Sequence, residues 1–97
     1  MAEVNVVARI KAKPEAVQKV REEALKLIPP TRTRDKGCLF YDLYQDNADP
    51  TLFYFLEKWQ SDELLDKHLE TEHLKAFGDA TDGLIAEIDI NRLTKIG

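Results

Sequence analysis

His68 and His73 are the only imidazoles in the 97 residues, and they stand five apart in the run His68-Leu69-Glu70-Thr71-Glu72-His73. Imidazole is the side chain that titrates nearest neutral pH, so proton transfer is the chemistry this pair suggests. On an unbroken helix five residues turn through about 140°, which serves one metal ion poorly, and the spacing predicts no metal site. Thr71 can act as an N-cap that starts a new helical segment. His73 then lies in a first turn, where the helix dipole favours a neutral, proton-accepting ring. His68, near the end of the preceding segment, is biased the opposite way.

Glu57 and Trp59 share a strand parity with Phe53 and Phe55. A carboxyl group beside an indole in apolar surroundings is a raised-pKa acid, an orienting group for a histidine, or a salt-bridged surface residue. Tyr41, Tyr44 and Tyr54 suit the walls of a pocket for a flat ring, and equally a packed core. Arg32, Arg34 and Lys36 form a short basic run, interrupted by Asp35, that reads as a solvated loop. Cys38 is the single cysteine, which excludes an intrachain disulfide and a multi-cysteine metal centre and reads as core packing. Gly-x-Gly-x-x-Gly, a phosphate loop and Gly-x-Ser-x-Gly are all missing, so a nucleotide enzyme or serine hydrolase has no support.

The elements that must position these residues follow from periodicity. Val4, Val6, Ala8 and Ile10 alternate with polar neighbours, predicting a strand over about 3–12. Pro14 suits a first helical position, and Val17, Val20, Ala24, Leu27 and Ile28 form one apolar stripe opposite Glu15, Lys19, Glu22, Glu23 and Lys26. Pro29-Pro30 predict that this helix kinks or stops, with at most a short helical segment beyond. Residues 38–45 and 51–59 are rich in aromatic and aliphatic side chains and flank the turn formers Asp46 to Pro50, a hairpin. Ser61 opens a second helical region carrying Leu64, Leu65, His68 and Leu69, with a step near 70–71 before Leu74, Phe77 and Ala80. Ile88 and Ile90 belong to a closing strand that runs to about 94. The order βαββαβ is the ferredoxin-like α+β arrangement: a four-stranded antiparallel sheet with two helical regions on one face.

A chain of this length holds one domain, 1–97. Its net charge of −4 argues against a nucleic-acid or anionic-membrane partner. The longest apolar run, Leu52 to Leu56, is far short of the roughly 20 residues that span a bilayer. The segment Met1-Ala2-Glu3-Val4-Asn5 has no basic and apolar leader pattern, so the expected location is cytoplasmic. In the hairpin both strand parities are apolar: Leu39-Tyr41-Leu43 against Cys38-Phe40-Tyr44, and Phe53-Phe55 against Leu52-Tyr54-Leu56. Helices cover one face only, and the expected cover for the other is the same face of a second chain about a two-fold axis, a homodimer with facing sheets.

Taken together, Gly37-Cys38-Leu39-Phe40-Tyr41-Asp42-Leu43, Asp49-Pro50, Glu57-Lys58-Trp59 and His68-Leu69-Glu70-Thr71-Glu72-His73-Leu74-Lys75-Ala76-Phe77 resemble the antibiotic biosynthesis monooxygenase domain family, nearest its short bacterial quinol-monooxygenase-like members. The resemblance implies a dimeric α/β barrel, with a pocket in each subunit between helices and sheet. It also implies oxidation of a quinol or other electron-rich aromatic by O2 without metal, flavin or other cofactor. On that reading His73 is the base or proton shuttle, and His68 is its orienting or second shuttle group. Trp59 is a pocket wall, Glu57 and Tyr41 are polar tuners, and Phe77 contacts substrate. Relatives on this scaffold offer two other readings: a proton-transfer isomerase of a phosphorylated autoinducer sugar, and a non-catalytic ligand-binding or stress-response dimer. A closed apolar cavity touching both Trp59 and His73 would favour an enzyme.

Overall fold

The computed structural model describes residues 2–97; Met1, the first residue of the predicted domain and of the stretch read for a leader, lies outside them. Strand β1 (Val4–Ala12) buries Val4, Val6, Ala8, Ile10 and Ala12 on one face, the period-2 consequence of alternating apolar residues. A 3-10 turn, Pro14–Ala16, leads into α1 (Val17–Leu25). The next helix, α2 (Ile28–Arg34), begins before the prolines. Pro29 and Pro30 therefore open a helix, in the first turn, where a missing N–H has no intrahelical partner to lose. Strands β2 (Cys38–Gln45) and β3 (Leu52–Trp59) form the hairpin, closed by Asp46 and Asp49, whose carboxylates accept backbone N–H groups of the turn. Helices α3 (Asp62–Leu69) and α4 (Glu72–Ala80) follow, with β4 (Ile85–Leu93) last.

The four strands pair antiparallel in the order β2-β3-β1-β4, an open sheet with all helices against one face, the ferredoxin-like α+β fold. The core lies between: Val20, Ala24 and Leu27 of the first helical stretch and Leu65 and Phe77 of α3 and α4 meet Ile10, Phe53, Phe55 and Trp59 of the sheet. Glu23, expected on the solvent side of α1, is only 8% exposed because Lys19 and Lys26 close over its carboxylate at 3.0 and 2.8 Å. Among the described residues no helix is long and apolar enough to cross a membrane.

The register between β2 and β3 shifts between Cys38 and Phe40, so that Cys38 pairs with Trp59 and Phe40 with Lys58. This bulge breaks the alternation read from the sequence. Cys38 joins Tyr41 and Leu43 in packing against the core, while Leu39 is exposed. Burial pushes the Cys38 thiol up to about 11, the behaviour of a packing residue and not of a nucleophile. On the helix-free face only the hairpin half is apolar: Phe40 and Tyr44 are exposed, and Tyr44 pairs across the strands with Tyr54. The β1–β4 half is polar, with Arg9 bonded to Glu87 and Asp89.

Candidate active site

A largely enclosed polar cluster joins three residues far apart in the chain. Asp35 Oδ2 lies 2.5 Å from His68 Nδ1 and 2.9 Å from His73 Nε2, and the carboxylate side chain is only 6% exposed. A carboxylate only accepts hydrogen bonds, so both imidazole nitrogens facing it carry protons and donate. In a neutral His68 that assignment leaves the lone pair on the opposite edge of the ring, at Nε2. His68 is fully enclosed, and its pKa falls below the ordinary imidazole range because burial outweighs the attraction of Asp35. It is therefore a neutral ring whose tautomer is set by a carboxylate, the arrangement of an oriented base.

Local sequence explains how each member arrives. His68 occupies the last turn of α3, and His73 the first turn of α4. Between them the Thr71 hydroxyl donates to the His68 carbonyl at 2.8 Å and accepts from Leu74 N–H at 3.4 Å, so one side chain both ends α3 and caps α4. The step turns both rings toward one point. Asp35 is the residue that ends α2, and Gly37, two positions on, has φ +86°. A Cβ on Gly37 would collide with the Leu64 side chain of α3, so glycine is what lets this turn press against α3 and deliver Asp35 to His68. Gly37→Ala is expected to cost about 2–4 kcal/mol, as left-handed strain plus overpacking. Gly83→Ala, at φ +77° with open space around it, carries only the strain of about 1 kcal/mol. Urea melts of the two variants check the difference.

On the sheet side, Trp59 is wholly buried and donates its indole N–H to Glu57 Oε1 at 2.9 Å. Burial raises the Glu57 carboxyl to about 7, with the indole N–H pulling weakly the other way. Of the three sequence readings for Glu57, its burial fits the raised-pKa acid; its polar partner is the indole, and its hydrogen bonds reach neither histidine. Trp59 packs on His68 with ring centroids 4.5 Å apart, and Tyr41 meets His68 edge-on at 5.3 Å and stacks on Phe55 at 4.9 Å. Burial moves the Tyr41 hydroxyl far above its ordinary range, so it stays protonated and can donate. Tyr44 and Tyr54 lie on the other face and take no part.

A hollow of about 70 Å³ lies between helices and sheet, lined by Tyr41, Phe55, Glu57, His68, Leu74 and Phe77 among others, and its mouth carries Ile88 and Ile90, each about half exposed. It therefore gathers four of the six residues singled out from the sequence, while Trp59 stands behind His68 and Glu57, and His73 lies outside. A second hollow of about 180 Å³ also touches His68 and is lined by Arg34, Asp35, Lys36, Leu64, Lys67 and Thr71. His68 thus lines both an apolar hollow and a basic recess. Asp35 was missed by the sequence reading. Its partners are 33 and 38 positions away, and locally it resembles an interruption in a basic run; the only signal beside it is the glycine two residues on.

Comparison with known proteins agrees with this architecture. The uncharacterized protein sll1783 of Synechocystis is 29% identical over 84 residues, which are 87% of this chain and 56% of that protein, so the chain spans little more than half of that relative. "Probable quinol monooxygenase YgiN" of Escherichia coli K12 is 30% identical over 100 residues, covering 93% of this chain and 95% of its own. The crystal structure of PA3566 from Pseudomonas aeruginosa superposes with a TM-score of 0.93 at 33% identity, over 100% of this chain and 97% of that one. The sequence profile described as "Antibiotic biosynthesis monooxygenase" matches residues 3–80, and with that match over most of its length the chain belongs to the antibiotic biosynthesis monooxygenase family.

Proposed function

We propose that this protein is a cofactor-independent monooxygenase acting on a quinol or similar electron-rich phenol, with His68 as the base. The observation that carries the reading is the neutral His68, its tautomer set by Asp35, on the wall of an apolar hollow that it shares with Tyr41 and Glu57. His68 Nε2 takes a phenolic proton, and the anion, held in a poorly solvated site, transfers an electron to O2. Recombination forms a C–O bond at a ring carbon. Loss of the ring hydrogen with O–O cleavage then leaves one oxygen atom on the ring and releases the other as water. The Tyr41 O–H and the protonated form of Glu57 are donors for developing negative charge. Protonation at Nε2 makes His68 an imidazolium whose Nδ1–H stays bonded to Asp35, and the carboxylate, held in place by His73 Nε2–H as well, stabilises that charge until the proton is returned to the departing water; His73, at 17% side-chain exposure, is the outer member of the trio. On this reading His68 acts nearer the chemistry than His73, the reverse of the roles the resemblance implies.

The hollow is smaller than the cavities of about 150 Å³ that admit benzene. A substrate ring would enter by its reacting edge, with the remainder against Ile88 and Ile90 at the mouth. Oxygen uptake with a panel of hydroquinones, in the presence of a chelator, is the test: hydroquinone-dependent consumption yielding hydroxylated quinone supports the proposal, and no uptake with any member rejects it. A second reading, a proton-transfer isomerase of a phosphorylated sugar, draws on Arg34, Lys36 and Lys67 around the outer recess. Turnover of phosphorylated ketoses in place of quinols would favour it. Failure of both substrate classes would favour a binding role.

The proposal includes a homodimer through the helix-free face and, in keeping with a lone unpaired thiol, a cytoplasmic location. Phe40 and Tyr44 with Tyr54 and Leu56 form the apolar half of that face, so the two hairpins are the expected centre of the contact. Tyr44→Glu, which sets buried charge against apolar surface, is expected to weaken association by about 100-fold or more, at a cost of roughly 3 kcal/mol. Sedimentation over a concentration series checks this, and a wild type that stays monomeric at high concentration overturns it.

A further inference from the structure

We propose that Asp35, His68 and His73 form a binding site for one divalent transition-metal ion of the zinc or cobalt class, with Asp35 Oδ2, His68 Nδ1 and His73 Nε2 as ligands. The three atoms lie within 4.8 Å of one another and come from the end of α2, the last turn of α3 and the first turn of α4. Two imidazole nitrogens and one carboxylate oxygen make a borderline donor set. It suits zinc, cobalt, nickel or ferrous iron and not calcium or magnesium, which prefer all-oxygen shells. The sequence argument against a metal assumed an unbroken helix between the histidines. The chain breaks at Glu70–Thr71, and the break converts a 140° divergence into convergence on one oxygen.

The present separations of 2.5 and 2.9 Å from Asp35 Oδ2 are those of hydrogen bonds. Ligands about 2.0–2.1 Å from a tetrahedral ion are about 3.4 Å apart, so entry of the metal requires the two oxygen–nitrogen pairs to spread by less than about 1 Å while the two histidine nitrogens, within 4.8 Å of each other, close by a little more than about 1 Å at most. Each N–H proton facing Asp35 moves to the other ring nitrogen or to solvent as the ion takes its place. The recess of about 180 Å³ beside Asp35 and His68 provides the approach and room for a fourth ligand. Its rim of Arg34, Lys36 and Lys67 repels a bare cation but complements an anionic fourth ligand, hydroxide or a small carboxylate. In the metal-bound form His68 Nδ1 holds the ion and Nε2 carries the proton, so His68 has no lone pair left to accept a phenolic proton. That consequence rests on the monooxygenase reading; the binding itself rests on geometry alone.

The test uses the 97-residue protein without a tag, stripped with chelator and titrated with CoCl2 and, separately, with ZnCl2 in a calorimeter. The expected result is one ion per chain, with visible cobalt ligand-field bands of four- or five-coordinate intensity. His73→Ala should weaken binding by at least 10-fold, and Asp35→Asn should weaken it likewise. Circular dichroism establishes that each variant is folded, and His73, the most exposed of the three, provides the variant if Asp35→Asn does not fold. Absence of cobalt bands and of a one-to-one zinc isotherm overturns the proposal, as does unchanged affinity in a folded His73→Ala protein. None of these readouts involves turnover, so a protein that binds cobalt at this site and oxidises no quinol upholds the metal site while rejecting the monooxygenase, and the converse result does the opposite.

Discussion

His68→Ala is expected to lower kcat/KM for hydroquinone-dependent oxygen uptake by about 10²–10⁴-fold, the usual contribution of a positioned general base. His73→Ala is expected to cost less, because His73 lies outside the apolar hollow and acts through Asp35. Asp35→Asn should fall near His68→Ala. An amide can present N–H where the carboxylate accepts one, and the imidazole then adopts the tautomer that leaves Nε2 without a lone pair. The ordering is as informative as the size. Because His73 acts by holding Asp35 in place, His73→Ala is expected mainly to lower kcat and change the pH profile, leaving KM close to wild type. Full activity in a folded His68→Ala protein would remove the assignment, whatever the substrate.

Glu57→Gln tests the electrostatics of the sheet side by stability alone. The Glu57 carboxyl is held at about 7 in the folded protein, against 4.5 for its ordinary value. Its folded pKa is raised, so its contribution to stability is complete below about pH 4.5 and is lost as pH rises toward 7, where the folded protein must either ionise a buried group or hold its proton against solvent. A shift of this size corresponds to about 3 kcal/mol. Glutamine keeps an oxygen for the Trp59 N–H and has no charge to bury. The variant should therefore match wild type near pH 4 and exceed it by up to about 3 kcal/mol at pH 8 in urea melts. His68 works in the opposite sense. Its folded pKa is depressed, so its contribution is complete above about pH 6.5 and is lost as pH falls below that toward the folded value. The same His68 term is present in both proteins and cancels in the comparison. A difference that stays flat with pH would show that Glu57 is solvated.

The two experiments probe opposite walls of one hollow. Trp59 ties them together: its N–H is bonded to Glu57 while its ring faces that of His68. The indole thus orders both the acid and the base without itself lining the hollow. This differs from the direct pocket wall that the resemblance implies.

Much of this was legible in the chain itself. Alternation in residues 4–10, the aromatic hairpin around Asp46 to Pro50, the caps Ser61 and Thr71 and the step between α3 and α4 are local properties, set by side-chain periodicity and by hydroxyls that bond within four residues. From them the βαββαβ order, the ferredoxin-like fold and the candidate residues His68, Glu57 and Tyr41 could be read. Three features were decided only when the elements packed. The bulge at Leu39 reversed the facing of Cys38 because pairing with Trp59, not alternation, sets register there. Glu57 became a weak acid because desolvation depends on what surrounds it in space. Asp35 met both histidines because Gly37 lets a turn lie against α3, a contact across more than thirty residues that leaves no periodic trace in the sequence. Local chain chemistry determined which elements form; through-space burial and convergence determined which of their side chains can do chemistry.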